Sequence, residues 1–204
     1  MIRTIFFDFG NVLGFFDHQR AVEKLVKFTD LNAIELSLRL YGGPVLDDYE
    51  CGRITTDEFV REAKRNGRLT CSHEEFLACF NDIFWRNPEV CELIPRLKPR
   101  YRLVLASNTV DAHFRRYCAD FADVLAHFNH LVASHHAGAR KPHREFYAYA
   151  QQFALAEPDE CAFVDDLPVN IEHAERFGWR GIVYRPDGTL ADKLAELGVV
   201  VNEV

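Results

Sequence analysis

The chain has 204 residues and a net charge of −7, from 31 acidic residues against 24 lysines and arginines. Hydrophobic residues make up 48% of it and charged residues 27%, which is typical of a folded globular chain and excludes a disordered or low-complexity one. This length fits one domain with room for an insertion. The acidic balance argues against nucleic acid or an anionic membrane as the main partner.

The six cysteines are spread along the chain without a C-x-x-C pair. The first residues lack the basic region and long apolar stretch of a secretory signal, and no run approaches the ~20 apolar residues of a membrane-spanning helix. We therefore expect a soluble cytoplasmic protein with reduced thiols. We expect it to act as a monomer or a homodimer, without nucleic acid or membrane partners.

Short apolar or β-branched runs recur along the chain and predict strands of a parallel sheet, because several lack the polar alternation of a half-exposed strand. Stretches with helical spacing follow them, such as 169–177 and 189–197, and a glycine ends each of these two. The alternation predicts an α/β fold with a doubly wound, Rossmann-like parallel sheet. The predicted strands are residues 4–7, 102–106, 131–133, 161–164, 181–184 and 199–201.

More than 80 residues separate the first two predicted strands, and their patterns are helical, with no convincing strand. Asn32, Thr55 and Ser72 are each followed three positions later by a glutamate, which is the capping-box spacing of a helix start. We therefore predict a small α-helical domain inserted into the α/β core. The predicted domains are a core of residues 1–14 and 91–204 and a helical cap of residues 15–90.

Polar side chains follow three of the predicted strands, and a lysine precedes a predicted helix. Because ligands of an open α/β sheet bind at the carboxyl ends of the strands, these side chains are expected to meet there. Carboxylates suit a hard divalent cation, and hydroxyl, amide and ammonium donors suit phosphate oxygens. Each residue alone is more often a turn or capping residue, but together they predict one site. They are Asp8, Ser107, Asn108, Lys141, Asp165 and Asp166.

These residues lie in four segments that resemble, in order, the sequence motifs of the haloacid dehalogenase (HAD) superfamily of hydrolases. The predicted insertion is similar in position and size to the cap of subclass I, which has an α-helical cap, and residues 49–55 resemble a common cap segment. The motif Asp-x-Gly-Asn-Val resembles that of bacterial sugar phosphatases, including those acting on glucose 1-phosphate. The four segments are residues 5–13, 105–108, 140–142 and 163–170.

The resemblance implies a magnesium-dependent phosphatase that hydrolyses a small phosphorylated metabolite, such as a sugar phosphate, through an aspartyl-phosphate intermediate. It implies that Asp8 is the nucleophile and that Mg²⁺ is bound by Asp8, the Gly10 carbonyl and Asp166. Because successive strand side chains point to opposite faces, Asp165 and Asp166 should not share one role. The resemblance implies that Asp165 orients a metal-bound water without touching the metal.

The resemblance also implies that Ser107, the Asn108 amide and Lys141 bind the phosphoryl oxygens, and that Lys141 offsets the negative charge around the nucleophile. Gly10 departs from the common pattern, since most phosphatases of the superfamily have an aspartate there that acts as general acid and base. Two alternatives therefore stay open. One is a carbon–halogen hydrolase that needs no metal, and the other is a non-catalytic protein that binds a phosphorylated ligand or a partner.

Substrate specificity is expected from the predicted cap, in the segment of residues 41–50. Asp47, Asp48 and Glu50 could face the site and bind sugar hydroxyls, or they could lie on a solvated surface. One of the three could also donate the proton that an aspartate at position 10 would otherwise supply. The sequence leaves these alternatives open.

Overall fold

The computed structural model describes residues 1–202, so the last two residues of the predicted core, 203 and 204, lie outside the described part of the chain. The strands within residues 1–202 are β1 Thr4–Phe7, β2 Gly14–Phe16, β3 Phe84–Arg86, β4 Arg102–Ser107, β5 His130–Ala133, β6 Cys161–Asp165 and β7 Arg180–Val183.

The helices begin at Gln19 in chain order and alternate with the strands after residue 88. They are α1 Gln19–Leu25, α2 Ala33–Tyr41, α3 Pro44–Glu50, α4 Thr56–Asn66, α5 His73–Asn81, α6 Pro88–Leu97, α7 Asp111–Asp120, α8 Ala122–Leu125, α9 Ser134–Ala137, α10 Arg144–Gln151, α11 Pro168–Phe177 and α12 Leu190–Glu196, with 3-10 turns at Val26–Phe28 and Pro158–Glu160.

Five parallel strands form the main sheet in the order β5-β4-β1-β6-β7. The central strand β1 is buried on both faces, with Ile5 and Phe7 in one hydrophobic cluster and Phe6 in the other. Phe6 stacks on Trp179 with ring centroids 4.1 Å apart. Burial of both faces explains the continuous apolar run of this strand. The predicted doubly wound α/β fold is confirmed.

One predicted strand, residues 199–201, is wrong. The Val199 N–H donates to the Leu194 carbonyl at 3.0 Å and so closes the end of α12. The Val200 N–H donates to the Tyr101 hydroxyl at 2.7 Å. A helix end and a side chain therefore use the backbone groups that a strand would need for a ladder. Composition alone could not show this, because it carries no information on hydrogen-bond partners.

The five helices between residues 19 and 81 pack around their own hydrophobic cluster, whose largest members include Tyr49, Phe59, Phe76 and Phe80. The three predicted capping boxes, which begin at residues 32, 55 and 72, are all formed. Val110 and Ala112, at the start of α7, belong to the same cluster. The helical insertion therefore rests on the α/β core through shared apolar packing.

Two short strands lie at the ends of this insertion, where the sequence showed none. β2 and β3 pair antiparallel, with Phe15 opposite Trp85. Each strand has three residues, which is too short for a recognisable alternation pattern. The partners are roughly 70 positions apart, so only the folded chain brings them together.

None of the helices within residues 1–202 is long and apolar enough to cross a membrane. The six cysteines, all within that range, are free thiols. Burial raises the pKa of Cys118 to about 11 and that of Cys161 to about 12, so both thiols stay protonated at neutral pH.

Candidate functional site

The carboxyl ends of the three central strands bring the predicted site residues together. β1 lies between β4 and β6, and Phe7 pairs in register with Leu105 and with Val164. Asp8 continues the ladder, because its N–H donates to the Val164 carbonyl at 2.9 Å. Asp8 therefore lies between Ser107, the last residue of β4, and the acidic end of β6.

A buried ion-paired cluster links two of these strand ends. The Lys141 Nζ lies 2.8 Å from Asp8 Oδ1 and 2.7 Å from Asp165 Oδ2. The exposed fractions of these side chains are 1% for Lys141, 11% for Asp8 and 0% for Asp165. Buried carboxylates need a counter-charge, and Lys141 supplies it to both.

The pKa values of this cluster reflect burial and charge crowding. Burial raises the pKa of Asp8 to about 7. The charge of Lys141 acts to lower this pKa, and the charge of Asp165 acts to raise it. Burial lowers the pKa of Lys141, but Asp165 and Asp8 outweigh it and hold that pKa above its ordinary value. Burial also raises the pKa of Asp166. Three carboxylates around one ammonium leave an excess of negative charge.

The two adjacent acids at the end of β6 have different surroundings. Both oxygens of Asp165 accept hydrogen bonds inside the fold, from the Leu167 N–H at 2.9 Å and from Asn170 Nδ2 at 3.0 and 3.1 Å, besides Lys141. Asp166 is half-buried, and its Oδ2 accepts from Asn11 Nδ2 at 3.1 Å. Asp165 therefore holds the cluster together, whereas Asp166 lies at its open side.

The donor set fits a hard divalent cation. Carboxylate oxygens of Asp8, Asp165 and Asp166 lie within 4.8 Å of one another, and oxygen ligands are those that Mg²⁺ prefers. The excess negative charge around Lys141 favours a cation at the same place. Because hydrogen bonds occupy Asp165, Asp8 and Asp166 are the two side chains best placed to turn an oxygen to the ion.

The predicted phosphate-binding residues divide into two kinds. Ser107 is buried at the end of β4 and lines the cleft described below. The Asn108 side chain instead accepts from the Lys141 N–H at 2.8 Å and donates to the Lys141 carbonyl at 3.0 Å. These two hydrogen bonds connect the backbone of Lys141 to the residue that follows β4. Because the carboxamide is used in this way, only the backbone N–H of Asn108 remains to contact a phosphate. This contact joins residues 33 positions apart and was not predicted from the sequence.

A cleft with a cavity volume of about 90 Å³ opens beside the cluster, between the strand ends and the helical insertion. We call the side formed by the core, which includes Gly10, Ser107 and Asn108, the core wall. We call the side formed by the insertion, which includes His18 and Glu50, the cap wall. His18 gave no signal in the sequence, because the β2–β3 ribbon that carries it to the cleft was not predicted.

Close packing explains the glycine at position 10. A Cβ atom there would lie 2.8 Å from Phe16 Cε1, closer than carbon atoms approach. The backbone of Gly10 is not left-handed, so the restriction comes from the ring of β2 and not from φ. An aspartate at this position therefore requires Phe16 to move.

The three acids of α3 have different environments. Asp47 pairs with Arg140, and Asp48 pairs with Arg53 at 2.7 Å on the surface. Glu50 lines the cleft, with its Oε2 2.8 Å from Arg140 Nη1. Burial raises the pKa of Glu50, and Arg140 partly opposes this. Of the three alternatives that the sequence left open, Glu50 is the acid that reaches the site.

Two known proteins resemble this chain in sequence. The chain is 26% identical over 211 aligned residues to D-ribitol-5-phosphate phosphatase of Bacteroides thetaiotaomicron, which covers 99% of this chain and 100% of the relative. A stretch of 66 residues is 38% identical to chloroplast flavin mononucleotide hydrolase 1 of Arabidopsis thaliana. That stretch covers 32% of this chain and only 27% of the plant protein.

The fold also matches solved structures and a family profile. An HAD family enzyme of B. thetaiotaomicron, solved with magnesium and inorganic phosphate, superposes with a TM-score of 0.80 at 24% identity, over 92% of this chain and 96% of that chain. Residues 2–178 match the profile of haloacid dehalogenase-like hydrolases. As its four motifs predicted, the chain belongs to the haloacid dehalogenase-like hydrolase family.

Proposed function

We propose that this protein is a magnesium-dependent phosphatase that hydrolyses the phosphate monoester of a small polyol or sugar through an aspartyl-phosphate intermediate on Asp8. The observation that carries the proposal is the buried cluster of Asp8, Lys141 and Asp165 with Asp166 at its open side. Such a cluster stabilises a negatively charged phosphoryl group only when a further cation is present, which fits a metal-dependent phosphatase.

Asp8 is held in place for nucleophilic attack. Its Oδ1 accepts from the Phe9 N–H at 2.7 Å and lies 2.8 Å from the Lys141 ammonium, which fixes the carboxylate plane. A carboxylate oxygen of Asp8 forms a bond to phosphorus while the ester P–O bond breaks, and the leaving alkoxide takes a proton from water and departs as the alcohol. A water molecule then hydrolyses the acyl phosphate, which releases inorganic phosphate and restores Asp8.

The other residues of the core wall bind and neutralise the phosphoryl group. Ser107 Oγ, the Asn108 N–H and the Lys141 ammonium donate to its oxygens, with the Lys141 loop fixed by the Asn108 side chain. Asp8, the Gly10 carbonyl and Asp166 would hold Mg²⁺. When bound there, the ion supplies positive charge to the phosphate oxygens.

We infer that the substrate is a primary phosphate ester of an acyclic polyol. The names of two relatives point to D-ribitol 5-phosphate and flavin mononucleotide, and both compounds carry the phosphate on the primary hydroxyl of a five-carbon ribityl chain. The cleft between the strand ends and the insertion has both polar and apolar side chains in its lining, as a carbon chain with hydroxyl groups requires. We also propose that residues 15–90 act as the cap that closes this cleft.

The alternatives of a carbon–halogen hydrolase and of a non-catalytic binding protein are less well supported. Metal-free dehalogenation gives no role to paired acids at the end of β6, and these acids would add repulsion at the nucleophile. A non-catalytic protein has no need of a fully buried lysine between Asp8 and Asp165.

Release of inorganic phosphate from a panel of monoesters tests the proposal. The panel contains D-ribitol 5-phosphate, flavin mononucleotide, glucose 1-phosphate and p-nitrophenyl phosphate, each assayed with Mg²⁺ and with excess chelator. We expect Mg²⁺-dependent hydrolysis by the wild type and none by Asp8→Asn. Hydrolysis of no ester, or full activity in chelator, would overturn the proposed function.

A further inference from the structure

The lining of the cleft includes polar side-chain atoms that have no hydrogen-bond partner in the protein. Within residues 1–202, seven buried side-chain nitrogen or oxygen atoms have no hydrogen-bond partner in the protein. Three of them, His18 Nδ1, Glu50 Oε2 and the Tyr117 hydroxyl, belong to residues that line the one cleft at the site. A fourth, the Tyr41 hydroxyl, belongs to the ring that stacks on His18. Since buried polar groups are normally satisfied, these atoms keep hydrogen-bonding capacity for a group that enters the cleft.

The charge of Glu50 is paired with that of Arg140, but the Glu50 Oε2 accepts no hydrogen bond. Its Oε2 lies 2.8 Å from Arg140 Nη1, out of line for a hydrogen bond, and Arg140 also pairs with Asp47. The Glu50 side chain is 20% exposed, so only a small part of it reaches solvent. Its carboxylate can therefore accept a hydrogen bond from a group inside the cleft at little desolvation cost.

His18 is fixed by aromatic packing. Its ring stacks on Tyr41 with centroids 4.2 Å apart, and Phe16 lies 5.1 Å away. Burial lowers the pKa of His18, although Asp17 opposes this, so the imidazole is neutral at pH 7. The Nδ1 of a neutral imidazole either donates to or accepts from a hydroxyl group, depending on the tautomer.

The remaining lining of the cleft limits what these atoms can bind. Leu46, Ile83, Phe84 and Phe9 form apolar surfaces that offer no side-chain hydrogen bonds. A few polar atoms on an apolar lining fix the orientation of a small ligand. A carbon chain with hydroxyl groups satisfies both, since its C–H groups contact the apolar side chains and its hydroxyls meet the polar atoms. Tyr117 differs, because its hydroxyl lies near Ser107 and Thr109 on the core wall.

We propose that His18 and Glu50 determine specificity by binding the hydroxyl groups of the polyol part of the substrate. This inference rests on the proposed function and adds to it the residues that distinguish a polyol phosphate from an alkyl phosphate. The two side chains come from different elements of the insertion, His18 from the residue before α1 and Glu50 from the last residue of α3, and both line the cleft.

The test compares D-ribitol 5-phosphate with n-pentyl phosphate, which has the same carbon chain without hydroxyls. We expect wild-type kcat/KM to favour the ribitol ester by at least about tenfold, the value of one good hydrogen bond. His18→Phe, which keeps the ring packing, and Glu50→Gln should each lower this ratio by about ten- to hundredfold, mainly through KM. Asp48→Asn, on the same helix but outside the cleft, is the matched control and should leave the ratio unchanged.

Equal wild-type kcat/KM for both esters, or equal losses on both in the two variants, would overturn the inference. Inhibition of the wild-type enzyme by free D-ribitol gives a second measurement, which requires no variant. If D-ribitol inhibits the wild type no more strongly than n-pentanol does, the inference is also overturned. If the wild type hydrolyses no ester, the proposed function itself fails. If it hydrolyses p-nitrophenyl phosphate through Asp8 without a preference for polyols, only the present inference fails.

Discussion

The two walls of the cleft are built in opposite ways. Behind the core wall, the buried charges of Lys141 and Asp165 are paired and hydrogen-bonded within the protein, and Asn108 fixes the backbone that carries the lysine. In the cap wall, His18 Nδ1 and Glu50 Oε2 have no hydrogen-bond partner, although Glu50 is ion-paired with Arg140. The groups proposed to react are thus held in place by the protein itself, whereas the polar atoms of the cap wall keep hydrogen-bonding capacity.

This difference follows from what each wall has to recognise. A phosphoryl group is the same in every substrate, so its binding groups can be fixed by the fold. The leaving alcohol varies, and the groups that select it must keep hydrogen-bonding capacity for it. The four changes below test the contrast between the fixed core wall and the open cap wall.

Replacing Asp8 has the largest expected effect on activity. We expect Asp8→Asn to lower turnover by at least about 10⁴-fold, because an amide does not attack phosphorus. The metal-free variant should unfold at a higher temperature than the wild type at pH 8. Burial raises the pKa of Asp8 to about 7, so the wild type loses stability as the pH rises from about 4 to 7 and the variant does not. Thermal unfolding from pH 5 to 8 should show a growing difference, and near wild-type turnover would refute the nucleophile assignment.

Replacing Lys141 should give the largest loss of stability. Lys141→Met leaves Asp8 and Asp165 buried without a counter-charge, which we expect to lower the free energy of unfolding by about 3 to 5 kcal/mol. Lys24→Met removes an ion pair with the exposed Asp82 and should cost less than about 1 kcal/mol. Urea denaturation of both variants measures the contrast. Similar losses in the two would show that the cluster is not held by its buried lysine.

Replacing Gly10 tests whether the site lacks a general acid. Without an acid there, alkyl phosphates should react about 10² to 10⁴-fold more slowly than aryl phosphates, because the leaving oxygen receives no proton from a general acid. Gly10→Asp alone should be destabilised, since its Cβ would meet Phe16. Gly10→Asp combined with Phe16→Ala has the space and should narrow the gap between the two ester classes.

A series of phosphate esters of graded leaving-group pKa measures this effect, with Phe16→Ala alone as the control. The series is run on the wild type, the single variants and the double variant, and circular dichroism verifies that each one folds. A shallow dependence in the wild type would contradict the expectation. It would mean that a group of the cap wall already donates the proton.

Replacing each of the two adjacent acids at the end of β6 should affect metal binding and stability differently. The expected effects are smaller than those above. We expect Asp166→Ala to weaken Mg²⁺ binding by about 10 to 100-fold, more than Asp165→Ala does. Asp165→Ala should be the less stable variant, because Asp165 accepts hydrogen bonds from Leu167 and Asn170 and pairs with Lys141. Calorimetric titration with Mg²⁺ and urea denaturation measure both quantities. Equal Mg²⁺ affinities would refute the assignment of Asp166 to the metal.

The polar residues at the strand ends could be located from the sequence for a physical reason. Asp8, Ser107 and Asp165 each end or follow a strand, and parallel strands of a doubly wound sheet place their carboxyl ends at one edge. Local patterns that identify the strands therefore also identify the residues that meet there. The capping boxes of the helical insertion were predictable for the same reason, since their contacts span three residues.

The tertiary structure alone decided the cap wall. That Glu50 and not Asp48 faces the cleft depends on how α3 packs on the Arg140 loop, 90 positions along the chain. That His18 reaches the cleft, and that Phe16 excludes a side chain at Gly10, depends on the β2–β3 ribbon. These contacts join residues whose local sequences carry no periodic pattern, so the sequence determined where the chemistry lies, and the packing of distant segments decided which side chains surround it.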